Sequence, residues 1–303
     1  MARAERIGPG QVRRWHRELS NWGRWGDDDQ LGCLNHIGPE MVMAAAAGVR
    51  SGRTVSCARS LPTEPGPENP NPVAHHMIGT ASEGWGADYI AVAPHGYATS
   101  HIDGLCHIFD EGRMYNGYPA EAVTAHGATE LGIQHWAAGI VGRGVLLDIP
   151  RLRGVPWLDA GEAVTVADLE AEESRAGVEV GPGDILLVRT GRWAERAERG
   201  GWDPHERLAG LHGSCLPWLH ERRISLLGSD GVSDVVPSGC DEFRLPIHSV
   251  GIVAMGLPLL DNLDLEALAE VAVEQDRHDF LLTVAPLVIE GGTASPVNPV
   301  AVF

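Results

Sequence analysis

The stretch "HGYATSHIDGLCHIFDEGRMYNG", residues 95–117, places His95, His101 and His107 within thirteen positions, together with Asp103 and Cys106. His101 and Asp103 are two residues apart. In an extended backbone their side chains leave the same face of a strand, so both can reach one ion. Imidazole with carboxylate suits zinc, manganese or iron(II), whereas calcium and magnesium call for an all-oxygen shell. Gly104 lets the chain turn after Asp103. His107 then stands near such an ion without binding it, the position a general base needs. His95 reads as a polar loop residue, and Cys106, opposite in strand parity, as a small packed hydrophobe.

Two ligands do not complete a site, so distant residues must join them. "GSDGVSDVVPSG" (228–239) offers Asp230 and Asp234, although neighbouring glycines also suit them to turns or caps. "LPIHSVGIVAMGLPLLDN" (245–262) offers His248 and Asp261. Trp25, His76, Tyr97 and Tyr115 flank the motif and provide flat faces for a substrate pocket.

Forty-one acidic against 23 basic side chains give a formal charge of −18, which repels nucleic-acid phosphates and anionic lipid surfaces. Neither is an expected partner; a small molecule is. Five scattered cysteines without a C-x-x-C pair argue for reduced thiols in a cytoplasm. The start "MARAERIGPGQVRRWHRELSNWG" carries charges throughout and has no run suited to a signal peptide or membrane span.

Along the chain, apolar runs alternate with helical periodicity, which predicts an α/β fold. Helices are expected in "GQVRRWHRELSNWG", in "GPEMVMAAAAGVRSG" with Gly52 close after its end, in "TVADLEAEESRAG" with Thr165 and Asp168 as a capping box, in "LPIHSVGIVAMG" and in "DLEALAEVAVEQ". Strands are expected in "RTVSCARSL", "DYIAVAPHG", "GRGVLLDIPR", "GDILLVRTGRW", "RISLLGSD" and "FLLTVAPLVI". The proline-rich "PTEPGPENPNPVAHHMIG" reads as a long extended loop, a lid over a pocket, and "GGTASPVNPVAVF" as a finishing loop. No repeat or linker divides the chain, so 1–303 is taken as one domain with an N-terminal helical extension over about 1–50.

Several of these segments, in this order, resemble the cyclase-like metal-dependent hydrolase superfamily, which contains bacterial kynurenine formamidase and isatin hydrolase. They are "RWGDDDQLGCLN", "TSHIDGLCHIF" with "MYNG", "GVLLDIPR", "GDILLVRTGRW", "LLGSDGVSD", "PIHSVGIVAMGLPLLDNL" and "PLVIEGGTASPV". The resemblance implies a swivelling β/β/α domain with a mixed sheet and flanking helices, assembled as a dimer or tetramer. It also implies hydrolysis of a small cyclic amide, lactone or arylformamide by a metal-activated water. His101 and Asp103 match metal ligands of that family's opening motif, and His107 matches its catalytic histidine. His248 and Asp261 are the nearest counterparts of its remaining ligands.

This sequence departs from the family at the first ligand. Four positions before His101 stands Tyr97, whose phenol, with a pKa of about 10, is a poor ligand at neutral pH. A single manganese or zinc ion on His101, Asp103, His248 and Asp261 is therefore expected. The same departure sustains an alternative, a cyclase, dehydratase or isomerase tailoring a small natural product. A non-catalytic small-molecule binder is the third reading, although binding alone gives no reason to keep His101, Asp103 and His107 together.

Overall fold

The computed structural model describes residues 6–303; the charged Met1–Glu5 of the start discussed above lie outside the described residues. In chain order the strands are β1 (Thr54–Ser56), β2 (Ala74–Gly79), β3 (Ala87–Ala91), β4 (His101–Asp103), β5 (Val123–Thr124), β6 (Gly127–Ala128), β7 (Ile140–Asp148) and β8 (Ala163–Val164). They continue as β9 (Ile185–Arg189), β10 (Gly210–Leu211), β11 (Leu226–Ser229), β12 (Leu259–Asp261), β13 (Asp279–Val284), β14 (Ala294–Pro296) and β15 (Val300–Val302). Nine of them build one mixed sheet in the order β1-β15-β13-β7-β9-β11-β12-β4-β14.

The sequence dictates the centre of that sheet. "VLLD", "ILLVR", "LLGS" and "LLD" are near-continuous apolar runs, as required of strands covered on both faces. They pair in parallel as β7, β9, β11 and β12. Parallel neighbours need crossovers, and these contain the helices Val166–Ala176, Arg192–Arg199 and Leu216–Arg222 and the helical stretch 246–255. At the start of Val166–Ala176 the Asp168 carboxylate accepts from the amide and hydroxyl of Thr165, at 2.8 and 2.7 Å, closing the expected box. β13 instead alternates buried and half-buried residues, as an antiparallel strand does. The α/β class and the mixed sheet with flanking helices are as expected.

Three local expectations need correction. The finishing segment is not a loop: β14 pairs with β4, and β15 is sandwiched between β1 and β13. Three-residue strands containing or flanked by proline leave too short a pattern to read. Likewise, only the proline-rich part of residues 62–79 is irregular; "AHHMIG" forms β2, which pairs antiparallel with β3 in a hairpin. Finally, the helix Pro39–Ala47 is capped by Gly48, ahead of Gly52.

The stretch 246–255 is helical as expected, but only Pro246–His248 is α-helix. Ser249–Met255 is wound as a π-helix that ends at Gly256 with φ +66°. π-turns cost hydrogen-bond geometry and tend to occur where a side chain must be re-aimed. Here His248 sits at the junction. Among the described residues, no helix is long and apolar enough to cross a membrane.

Candidate metal centre

The site lies where β12 and β11 end and β4 runs back alongside β12. In the antiparallel pairing of β12 with β4, Asp261 stands opposite His101, and Leu259 opposite Asp103. Residues opposite each other, and those two apart on one strand, share a face of the sheet. Register therefore puts His101, Asp103 and Asp261 on one face. His248 arrives from the α/π junction and His95 from the turn that precedes β4.

All three carboxylates here, Asp103, Asp234 and Asp261, are at least 98% buried. Their ion-pair partners among the described residues are histidines alone. His95 Nδ1 and His101 Nε2 lie 2.9 and 3.3 Å from Asp103 Oδ1. On the other side, His248 Nε2 lies 3.6 Å from Asp103 Oδ2 and 3.4 Å from Asp261 Oδ2. Both oxygens of Asp103, Oδ1 of Asp261 and Nδ1 of His95 are buried with no hydrogen bond. Such a group of acids is costly to bury without a cation to hold.

Each imidazole is tied down by its outer nitrogen. His101 Nδ1 donates to the Thr99 carbonyl at 2.8 Å, His248 Nδ1 donates to Asp234 at 2.7 Å, and His95 Nε2 pairs with the Thr293 hydroxyl at 3.0 Å. The other nitrogen of each then faces the carboxylates. An oxygen partner that fixes the ring and its tautomer is the usual support of a metal-ligating histidine.

Two donor groups result, His95 with His101 and Asp103, and Asp103 with His248 and Asp261. Within each, the ligand atoms lie within 4.8 Å of one another. They share Asp103. The donor set is imidazole and carboxylate, the chemistry of zinc or manganese, and the residues fit a bound divalent metal.

The electrostatics follow from this crowding. Burial alone would lower His101, but the Asp103 carboxylate, with Asp261 and the Thr99 carbonyl adding to it, outweighs burial and raises the pKa to about 8. Burial likewise works against His248, and Asp234 and Asp261 carry it well above the ordinary value. Asp103 is held far below the carboxylate range, against its burial, by His107 and His101. His107 itself, half-buried, is drawn down to about 4, mainly by desolvation. It belongs to neither donor group, yet its ring stacks on His95 with centroids 3.8 Å apart.

The expected residues are therefore partly assembled. His101, His248 and Asp261 all converge on Asp103, but in two donor groups that share it and not in the one four-ligand set expected for a single ion, and His107 stands beside them. His95 was read as a loop residue, yet it faces Asp103. Tyr97 in place of the first ligand does not leave that position bare, because the turn after His95, with Gly96 at φ +126°, brings a histidine from two residues further upstream. Asp234, offered as a ligand or as a turn or cap residue, belongs to neither donor group; it accepts from the backbone amides of Ile247 and His248 and also orients the His248 ring.

Of the four residues expected in a pocket wall, Tyr97 borders the site. Burial and the nearby Asp261 and Asp234 carboxylates raise its phenol, while its ring meets His205 edge-on. The other three are held elsewhere. Tyr115 is fully buried in the core, its hydroxyl 2.9 Å from Asp29, and Trp25 turns its edge to His36. His76 is exposed on β2 and stacks on Tyr89. A cavity of about 960 Å³ lined by Arg153, Thr165, His212, Val235 and Cys240 includes none of the donor residues. The metal-ligand chemistry, and not cavity size, identifies the site.

Comparison with known proteins agrees with this geometry. A family model described as "Putative cyclase" matches residues 31–234. The chain belongs to the cyclase family. A solved structure of a novel cyclase is 33% identical and superposes with a TM-score of 0.85, covering 94% of this chain and 100% of its own. This cyclase-family chain also shares its fold with an isatin hydrolase bound to the product analogue thioisatinate, at 19% identity, TM-score 0.61, and coverage of 88% of this chain and 99% of that one. Isatin hydrolase A from Ralstonia solanacearum matches at 22% identity, with TM-score 0.57 and coverage of 87% and 97%. No curated protein matches the sequence.

Proposed function

We propose that the chain is a metal-dependent hydrolase of a small cyclic amide, lactone or arylformamide. In this reading His95 and His101 hold one divalent ion and His248 and Asp261 a second, with Asp103 shared between them. The observation that carries it is the set of three histidines, each bound to an oxygen by one nitrogen and facing unpaired buried carboxylate oxygens with the other. Manganese and zinc are the ions that suit these donors.

A divalent ion at these residues would act as a Lewis acid on the substrate carbonyl and make water more acidic. The chain's own residues do the rest. His107, stacked on His95 and only partly exposed, accepts the proton of the attacking water and returns it to the leaving nitrogen or oxygen. Asp234 and Thr99 hold their imidazoles in the tautomers that face the carboxylates. Tyr97 forms part of the substrate wall.

The ring-closing alternative drew its strength from the tyrosine at the first-ligand position, and His95 facing Asp103 removes that reason. The same reading takes a small molecule as the partner, a homo-oligomer as the assembly and the cytoplasm as the setting. In a cytoplasm the five buried free cysteines would stay reduced.

The test is hydrolysis of isatin and of N-formylaniline by manganese- or zinc-loaded protein, beside His107→Ala. Turnover of either substrate that is lost in the variant supports the reading. Turnover undiminished in His107→Ala would remove the assigned base.

A further inference from the structure

His95 reaches Asp103 from outside the sheet, so something must shape the turn 96–99 that carries it. Three carbonyls of that turn are held by two buried side chains. Asn262 Nδ2 donates to the Gly96 carbonyl at 2.8 Å and to the Thr99 carbonyl at 3.1 Å. Arg192 donates to the Tyr97 carbonyl at 2.6 Å and to Asn262 Oδ1 at 2.6 Å, joining the two holders. The Thr99 carbonyl is also the acceptor that fixes His101.

The holders are themselves anchored. Arg192 opens the helix Arg192–Arg199, and its backbone amide, with those of Thr190 and Gly191, donates to the buried Asp230 carboxylate. Its guanidinium lies 4.2 Å from the centre of the Trp193 ring. Asn262 follows Asp261 with φ +55°, and its backbone bonds Gly231 and the Ser100 hydroxyl.

We infer that Asn262 and Arg192 are positioning residues that fix the Gly96–Thr99 turn and so deliver His95 to the ion shared with His101 and Asp103. This rests on the proposed metal centre. A carbonyl that loses its donor moves or takes water, and either would swing His95 away from Asp103. Among the described residues, no hydrogen bond joins the His248 or Asp261 side chain to this turn.

Asn262→Gly is the informative variant, because glycine accepts the positive φ and keeps both backbone bonds while removing the amide. Metal-depleted full-length protein, Asn262→Gly and His95→Ala would each be titrated with Mn²⁺ by calorimetry. The expected result is that one of two binding events weakens by roughly 10–100-fold in Asn262→Gly, as in His95→Ala, while the other is unchanged. Two undisturbed events in Asn262→Gly would overturn the inference, and so would equal weakening of both, which marks a general structural role. Wild-type protein that takes up no Mn²⁺ would instead contradict the metal centre, and the positioning role with it. Should Asn262→Gly fail to fold, Arg192→Lys is read against the same outcomes, since an ammonium cannot span both Tyr97 and Asn262 as the guanidinium does.

Discussion

The two sides of Asp103 are built differently. On one side Asp261 ends a central strand, and His248 sits on a wound segment packed into the core, with Asp234 holding its ring. On the other, His101 is on a short strand, but His95 hangs from a turn kept in place by side-chain bonds to its carbonyls. The first side owes its geometry to packing and register, which many small contacts enforce together. The second owes it to a few polar bonds that single substitutions can remove. In the proposed centre, one carboxylate joins a half-site held by packing to one held by a turn.

Changing that carboxylate should affect both sides at once. Asp103→Ala is expected to abolish metal uptake and lower turnover by roughly a thousand-fold or more, measured by elemental analysis and initial rates. Retention of one ion would break the view that Asp103 is common to both. His107→Ala tests the turn side without removing a donor, although it takes away the ring stacked on His95. Turnover should fall roughly 10²–10⁴-fold while metal content stays at the wild-type level.

Asp234→Ala sharpens the comparison from the packed side. It frees Nδ1 of His248 and should weaken one ion by roughly 10–100-fold, leaving the ion at His95 and His101 in place. A smaller effect, on stability, is expected at Gly256, which ends the π-helical segment. There φ is +66°, and a Cβ would clash with the Tyr115 ring. Gly256→Ala should cost about 1–3 kcal/mol in a urea melt, since the packed half-site cannot yield at this point.

The smallest expected effect lies in the N-terminal helical region, away from the site. His36 is pulled down to about 4 by burial, with Arg24, Arg223 and His220 adding to it. Its unfolded value is near 6.5. The unfolded chain therefore binds the extra proton first. This contribution to stability is complete above about pH 6.5 and is lost as pH falls toward 4. His36→Gln should flatten that part of the urea midpoint against pH, and an unchanged slope would contradict the burial of a neutral ring.

How legible each part was in the sequence follows from the range of the interactions that place it. The apolar runs of β7, β9 and β11 are read directly, because covering both faces demands them. His101 and Asp103 are likewise readable, since strand parity relates them over two residues. Asp261 is a harder case: that it faces His101 depends on the β4–β12 register, which joins residues 160 positions apart. His95 escaped because its approach depends on bonds from Asn262 and Arg192, which no local pattern announces. Tyr115 was misplaced for the opposite reason. An aromatic residue near a motif looks like a pocket wall, but Asp29, 86 positions earlier in the sequence, holds its hydroxyl inside the core.

The most direct test of the shared-carboxylate centre is metal content per chain after incubation with manganese or zinc, for wild type, His95→Ala and Asp103→Ala. The account predicts about two ions, about one, and none, respectively. A wild-type chain that remains metal-free, or an Asp103→Ala chain that keeps the wild-type content, would contradict it.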